Sequence, residues 1–467
     1  MKTDTIAAIA TALSDSGIGI VRISGTEAIE IADKIYQSKN GNKHLINVKS
    51  HTIHYGFILD HGVIADEVMV SIMKAPKSYT AEDTVEINCH GGVIMMHRIL
   101  ELVLGAGARM AEPGEFTKRA FLNGRMDLSE AEAVMDIIHA KNKLALKSSV
   151  NQLKGAVSNK IKELRAKIIY EIAFIESALD DPEHISLDGY PDRLMETLNL
   201  VLNKIDILLI SADNGKIVKE GINTVIVGKP NAGKSSFLNL LIGEDKAIVT
   251  DVAGTTRDIL EEHINFHGIS LNIIDTAGIR DTEDIVEKIG VQKTRQYASN
   301  ADLIIYIVDS SVPLDDNDMD IMEIIGLKNC IALLNKTDLE AVVTEEILMD
   351  ALSKSSMDQS ETVSIIKTST KDSTGMDIFE ETIQEMFFKG KISIENEVYI
   401  TNIRHKEAII DAKNSLLMVE KSIEDHMPED FYSIDLMSAY ASLGNIIGEE
   451  VSEDLVNEIF SKFCMGK

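Results

Sequence analysis

The run Gly228-Lys229-Pro230-Asn231-Ala232-Gly233-Lys234-Ser235-Ser236 constrains this chain more than any other stretch. It follows the apolar Thr224-Val225-Ile226-Val227, which reads as a buried parallel strand. It opens onto Phe237-Leu238-Asn239-Leu240-Leu241, which reads as the start of a helix. Strand, glycine loop, Lys-Ser, helix is the Walker A arrangement. Glycines let the backbone wrap a phosphate chain with its N–H groups aimed at the oxygens. The helix N-terminus adds the positive end of its dipole. Lys234 supplies a point charge for the terminal phosphates, and the Ser235 hydroxyl can ligate magnesium. Asn231, Ala232, Gly233, Lys234, Ser235 and Ser236 are the expected phosphate-binding residues.

Further signals follow in order. Gly254-Thr255-Thr256-Arg257-Asp258 lies about one helix and a loop later, led in by Thr250-Asp251-Val252-Ala253. A Thr here completes a magnesium shell and senses the γ-phosphate. Asp275-Thr276-Ala277-Gly278 closes the apolar strand Leu271-Asn272-Ile273-Ile274. Asp275 would hold magnesium through water, and the Gly278 N–H would meet the γ-phosphate. Asn335-Lys336-Thr337-Asp338 closes the strand Cys330-Ile331-Ala332-Leu333-Leu334. The Asp338 carboxylate accepts two hydrogen bonds from guanine N–H groups, a pair that adenine does not offer. Ser369-Thr370-Lys371 stands where a fifth loop would close over the base. In this order and spacing the motifs specify a Ras-like GTPase domain with a doubly wound parallel sheet.

Two positions depart from the simplest such enzyme. After Asp-x-x-Gly, Ras-like proteins carry the Gln that orients the attacking water. Here the residue is Ile279, which has no polar atom. Asp281, Glu283, Asp284 and Glu287 follow, and a carboxylate among them can act as base through an intervening water. Acidic residues at a helix start are also simply favoured by the macrodipole. Asn231 has two open readings: a ligand for a monovalent cation beside the phosphates, or an amide that stabilises the loop.

The rest of the chain sets these motifs in a larger protein. Its 467 residues imply two to four domains. A formal net charge of −29 excludes nucleic-acid binding over a broad surface, so an RNA role needs a local basic patch or a partner that brings the RNA. The basic stretch worth noting, Lys141 to Lys167, reads as a solvated helix face. Cys89, Cys330 and Cys464 are an odd, sparse set, which suits reduced thiols and a cytoplasmic location. Asp4, Thr5 and Thr11 argue that the first residues lead into a strand and are not a signal peptide, despite Ala10-Thr11-Ala12. No apolar run reaches transmembrane length.

Residues 1–122 mix strands and helices. Strands are expected at 18–23, 51–59, 63–73 and 84–89, with a turn at His61-Gly62 and a break at His90-Gly91-Gly92. A helix follows over 93–104. Cys89 beside His90 suggests a thiol–imidazole pair, but neighbours on a strand point to opposite faces. From Asp127 the texture becomes helical, starting with the capping-box-like Asp127-Leu128-Ser129-Glu130. Val157, Ile161, Leu164, Ile168, Ile172 and Ile175 step by three and four, as do Leu194, Leu198, Val201, Ile205 and Leu208. Ser211-Ala212-Asp213-Asn214-Gly215 reads as a linker, and the nucleotide domain is expected over 220–383. Helices return after it, with Ile409, Ala412, Leu416, Val419 and Ile423 in heptad steps. Helices on both sides of the sheet domain imply one helical domain, 123–219 and 384–467, with the nucleotide domain inserted.

Residues outside the nucleotide motifs carry a resemblance. They are Gly19-Ile20-Val21-Arg22-Ile23-Ser24-Gly25, then Glu82-Asp83 with Glu86 and His90-Gly91-Gly92. With them go Pro113-Gly114-Glu115-Phe116-Thr117-Lys118-Arg119-Ala120-Phe121-Leu122-Asn123-Gly124-Arg125 and the terminal Cys464-Met465-Gly466-Lys467. With the nucleotide motifs they make the chain resemble, end to end, the MnmE (TrmE) family of tRNA modification GTPases. The resemblance implies an N-terminal α+β domain that binds folate and forms the homodimer, a helical domain, and an inserted G domain. It implies an MnmG-like flavoprotein partner carrying FAD, in a heterotetramer, with tRNA reached mainly through that partner. The two would add an aminomethyl or carboxymethylaminomethyl group to carbon 5 of the wobble uridine, with a tetrahydrofolate derivative giving the one-carbon unit.

Carried over by position, Arg22, Glu86, Arg125 and Lys467 contact folate. Asn231 ligates potassium with backbone oxygens of Thr250, Val252 and Thr255. Ser235 and Thr256 ligate magnesium, and Glu287 is the general base. Potassium-promoted pairing of G domains then switches hydrolysis on. In these terms Arg22 and Arg125 suit folate carboxylates or carbonyls, and Glu86 suits pterin N–H donors. The chain departs from the family at Thr11-Ala12-Leu13-Ser14-Asp15-Ser16, where a Pro-Pro-Gly loop is usual. It departs again at Met465, which replaces Ile at conserved volume. The competing reading is a GTPase switch in ribosome assembly or trafficking, for which a folate site has no use.

Overall fold

The computed structural model describes residues 4–41, 43–244, 261–266, 269–274, 301–325, 329–355, 363–388 and 400–466. The chain forms two compact units. One comprises Met1–Met135, Gln152–Val201 and Ala408–Lys467; the other comprises Asp136–Asn151 and Leu202–Glu407. Among the described residues no helix is long and apolar enough to cross a membrane.

In the first unit, β1 (Ile6–Ile9), β2 (Ser16–Ser24), β3 (Tyr36–Ser38), β4 (Thr52–Asp60), β5 (Val63–Met73), β6 (Thr84–Gly91) and β7 (Arg109–Met110) form one sheet. Its order is β3-β4-β5-β6-β2-β1-β7, antiparallel except for the β1–β7 edge. Alternation sorts each strand's faces. Val21, Ile23, Val70, Ile72, Val85 and Ile87 turn inward with Cys89, under α1 (Ala28–Ile35) and α2 (Val93–Gly105). Each such side chain contributes about 1.5–3 kcal/mol on full burial. The β4–β5 hairpin closes on His61 and Gly62, at φ 48° and 88°, as a two-residue type I′ turn requires. β6 runs two residues past the expected end, through His90 and Gly91, because Asp66 accepts from both the His90 N–H (2.9 Å) and its ring (2.6 Å). Cys89 points the other way: its thiol donates to the Gly19 carbonyl at 3.3 Å, and burial pushes its pKa up to about 11. No thiol–imidazole pair exists here.

Helices α3 (Glu115–Leu122) and α4 (Leu128–Ile138) follow. The capping box is real: the Asp127 N–H donates to Glu130 Oε2 and the Glu130 N–H to Asp127 Oδ1, both at 3.0 Å. After α5 (Lys143–Leu153), α6 (Ala156–Asp180) packs its apolar row on the helix Glu429–Ile447. Between them Arg165 lies over the Tyr440 ring at 3.9 Å.

The second unit holds β8 (Ile222–Gly228), β9 (Glu261–Phe266), β10 (Ile269–Ile274), β11 (Leu303–Asp309), β12 (Cys330–Asn335) and β13 (Val363–Lys367). Their order is β13-β12-β11-β8-β10-β9, parallel but for β9. Strands buried on both faces read as unbroken apolar runs. Leu303, Ile305 and Ile307 meet Phe237, Leu241, Phe379 and Ile383 on one face. Ile304, Tyr306 and Val308 meet Met322, Leu348 and Leu352 on the other. The sheet is thus doubly wound. Its last helix, Met376–Phe388, runs past the expected domain edge at 383.

One expectation fails. Ser211–Gly215 is not a linker: α7 runs unbroken over Tyr190–Glu220. Polar composition misleads because Leu208, Ala212 and Val218 still place an apolar row on one face. Gly215 also has a helical role, since a Cβ there would sit 2.3 Å from the Ile400 carbonyl oxygen. In an open helix Gly→Ala stabilises by about 0.5–1 kcal/mol. Here the sign reverses: Gly215→Ala lowers the thermal midpoint of the chain, measured by circular dichroism against a Gly243→Ala control, whose site has open space around the added carbon.

Candidate functional site

At the carboxyl end of β8 the chain turns through Lys229-Pro230-Asn231-Ala232 before α8 (Lys234–Glu244). Asn231 has φ 63°, Gly228 φ 154° and Gly233 φ 106°. A Cβ at Gly228 would come within 2.4 Å of the Ile307 carbonyl oxygen, and one at Gly233 within 2.2 Å of Asn335 Nδ2. Only glycines allow this loop to lie so close to its neighbours. The Lys234 ammonium donates to the carbonyls of Gly228 and Lys229, both at 2.8 Å. Burial lowers its pKa below the ordinary lysine range, a cost that adjacent phosphate charge offsets. The site lies where the order switches direction about β8, with β10 on one side and β11 on the other. Open α/β sheets bind ligands at such points.

The base-recognition loops are tied to the phosphate loop by one side chain. Asn335, 1% exposed, donates from Nδ2 to the Ala232 carbonyl at 2.8 Å. Its Oδ1 accepts from the Thr370 N–H at 3.2 Å. Lys336 sits at φ 65°, and its ammonium reaches Asp309 at 2.5 Å. Burial raises the Asp309 pKa, but Lys336 and Ser311 outweigh it and hold the carboxyl below its usual range. Asp338 accepts from the Ser369 hydroxyl at 3.4 Å and lies 3.7 Å from the Lys371 ammonium. The structure therefore gathers Ala232, Gly233, Asn335, Asp338, Ser369, Thr370 and Lys371 into one constellation. Ser235 is in the first turn of α8, as a magnesium ligand would be. Thr250, Asp251, Val252, Ala253, Gly254, Thr255 and Thr256 lie outside the described residues. So do Asp275, Thr276, Ala277, Gly278, Glu287 and Lys467.

A second cluster forms in the first unit. Arg22 on β2 and Glu86 on β6 are register partners, joined from Nε and from the Arg22 NH2 group to Glu86 Oε1, each at 2.8 Å. Arg22 also donates to the Gly466 carbonyl at 3.1 Å. The Tyr79 ring lies between the guanidinium groups of Arg22 (5.3 Å) and Arg125 (4.7 Å), and Phe116 adds a face 5.7 Å from Arg22. Three of the four expected folate residues thus converge, with the C-terminal segment beside them. A carboxylate acceptor among aromatic faces and guanidinium planes suits a flat heteroaromatic ring with N–H donors. Sequence reasoning missed Tyr79 and Phe116, whose loop and helix carry no periodic signal. Glu82 and Arg119 form the frame behind: Arg119 reaches Glu82 Oε2 (3.2 Å), Glu115 (3.0 Å) and Asp4 (3.0 Å), and Ser24 donates to Glu82 at 2.9 Å.

Known proteins match this chain in sequence along its whole length. A family model for the MnmE helical domain matches residues 128–464, and one for the N-terminus of the GTP-binding protein TrmE matches residues 5–125. The tRNA modification GTPase MnmE of Lachnoclostridium phytofermentans is 57% identical over 467 residues, covering 100% of both chains. The chain belongs to the MnmE family of tRNA modification GTPases. Family members from Thermoanaerobacter pseudethanolicus (49% identical over 469 residues) and Acetivibrio thermocellus (48% over 470) also cover 100% of both chains.

In this MnmE-family chain, the Asn335 clip yields a direct expectation. Asn335→Ala removes two hydrogen bonds, one buried and one part-buried, each worth about 0.5–1.5 kcal/mol. GTP affinity, read by fluorescent-nucleotide titration, falls about tenfold or more, while the far-ultraviolet circular dichroism is unchanged.

Proposed function

We propose that this chain hydrolyses GTP in the service of wobble-uridine modification. The observation that carries the reading is the Asn335 bridge, which joins a phosphate loop to a guanine-selective Asp338 loop, in a chain matched end to end by the MnmE family. Lys234 neutralises the terminal phosphates, Ser235 and Thr256 hold magnesium, and Asp338 selects guanine. Asp275, Thr276, Ala277 and Gly278 follow the γ-phosphate.

Ile279 leaves the attacking water without a glutamine, so Glu287 takes the base role through a bridging water. Asn231, with backbone oxygens of Thr250, Val252 and Thr255, holds potassium where it offsets the charge of the transition state. Such a site is completed when G domains of two copies pair, which makes hydrolysis potassium-stimulated. In the first unit Arg22, Glu86, Arg125 and Lys467 hold a tetrahydrofolate derivative. When bound, it supplies the one-carbon unit for carbon 5 of the uridine. Arg22 orients the Glu86 carboxylate, and the Tyr79 ring covers a face of the bound ring, backed by the buried Phe116. An MnmG-like flavoprotein carries FAD and most of the tRNA contact, consistent with a net charge of −29 on this chain. The homodimer and its partner work in the cytoplasm. A GTPase switch without modification chemistry gains nothing from the Arg22–Glu86–Arg125 cluster.

Turnover is expected to be several-fold faster in potassium than in sodium, and Asn231→Ala removes the difference while GTP still binds. Equal stimulation in the variant refutes the cation assignment. Glu287→Ala lowers turnover by about 10²-fold or more, as for lost general-base catalysis; a near-normal single-turnover rate assigns the base elsewhere.

A further inference from the structure

Lys229, the first basic residue of the phosphate loop, does not face the phosphates. Its ammonium lies 2.6 Å from Asp318 Oδ2 and 3.0 Å from Asp315 Oδ2, with the lysine side chain only 13% exposed. Asp318 is 1% exposed and is fixed independently of the lysine. The buried Tyr306 hydroxyl on β11 donates to its Oδ1 at 3.0 Å, and the Asp315 N–H donates to its Oδ2 at 3.0 Å. Asp315 in return accepts from the N–H groups of Asn317 (3.0 Å) and Asp318 (3.3 Å), a reciprocal cap on the helix Asp316–Ile325. Burial works against the Lys229 charge, but the two aspartates outweigh it and hold its pKa above the ordinary range.

Lys229 is also the first residue of the turn that presents Asn231. The Ala232 N–H donates to the Lys229 carbonyl at 3.3 Å, with Pro230 second and Asn231 third at φ 63°. Proline then a left-handed residue is a type II turn. A non-glycine residue held at positive φ persists only where its surroundings over-determine it. Here Lys234 grips the Lys229 carbonyl from inside the loop, and the aspartates grip the Lys229 side chain from outside. Breaking a pair with a carboxylate this buried leaves an uncompensated charge, unlike loss of an exposed pair.

We propose that Asp318, with Asp315, is a positioning residue that acts through Lys229 to hold the Asn231 turn in the geometry needed to bind the activating cation. The inference rests on the reading of Asn231 as the potassium ligand. It makes the start of the helix Asp316–Ile325 part of the cation site without touching the ion.

The test measures steady-state GTP turnover of the full chain against potassium concentration, with KM for GTP, and, without turnover, the binding of thallium(I) as a potassium surrogate followed by its NMR line width, in Lys229→Gln, Lys229→Arg and Asp318→Asn. Lys229→Gln, on the solvent side of the pair, raises the half-activating potassium concentration about five- to tenfold, with a much smaller change in KM for GTP. Lys229→Arg keeps the charge and restores near-normal potassium dependence. Asp318→Asn shifts it in the same direction as Lys229→Gln; should it not fold, Lys229→Gln and Lys229→Arg decide. Unchanged half-activation in Lys229→Gln overturns the inference, as does an equal loss in KM, which marks general damage to the loop. If the unaltered chain shows no potassium stimulation, the Asn231 reading fails first and the inference with it. Stimulation that Asn231→Ala abolishes and Lys229→Gln leaves intact overturns the inference alone.

Discussion

The second unit depends on a close passage between two segments of its own backbone. The chain runs toward the nucleotide sheet along α7 and comes back past it at Ile400, with Gly215 of one segment against the carbonyl of the other. The end of α7 is then fixed to the sheet: Asn272 on β10 donates to the Glu220 carbonyl at 2.8 Å and to Asn223 at 3.2 Å. Asn142 adds a third tie, donating to the Val218 carbonyl at 3.0 Å. Gly221, at φ 82°, makes the turn from helix into β8. An inserted domain needs its entry and exit close together, and here they are held by backbone packing and amide hydrogen bonds, with Lys219 paired to Asp136 at 2.7 Å.

From that anchorage the nucleotide site follows by short steps. β8 delivers the phosphate loop, β12 delivers Asn335 and Asp338, and β13 leads to Thr370. Three loops from three strands end at one edge because β8, β12 and β13 all run parallel in the sheet. Asn335 bonds to two of the other loops, so its amide acts as a staple across the edge. Lys229 and Asp318 brace the opposite side of the phosphate loop in the same manner.

Much of this was legible in the sequence, for a physical reason. The phosphate and base motifs are local, and buried parallel strands spell unbroken apolar runs, so the strands and the loops they deliver could be read together. The β4–β5 hairpin was legible from His61-Gly62 for the same reason. Ser211–Gly215 was misread because small polar residues signal a linker by composition, whereas the helix is decided by the row through Leu208, Ala212 and Val218. Long-range pairs left no local trace. Arg22 meets Glu86 only because β2 and β6 pair in one register. Tyr79 and Phe116 enter the same cluster from a loop and a helix, and Lys229 finds Asp318 across half a domain of sequence. No periodicity encodes any of these.

The Arg22–Gly466 contact joins residues 444 positions apart. At about 5–20 residues per second of synthesis, Arg22 waits on the order of tens of seconds for that partner. Its sheet can fold long before then, since β1 through β7 are complete by residue 110. The Arg22 cluster cannot be complete by then, because the Gly466 carbonyl is one of its partners. Arg22 therefore spends that interval without the Gly466 carbonyl, and its contacts are complete only after residue 466 has been made.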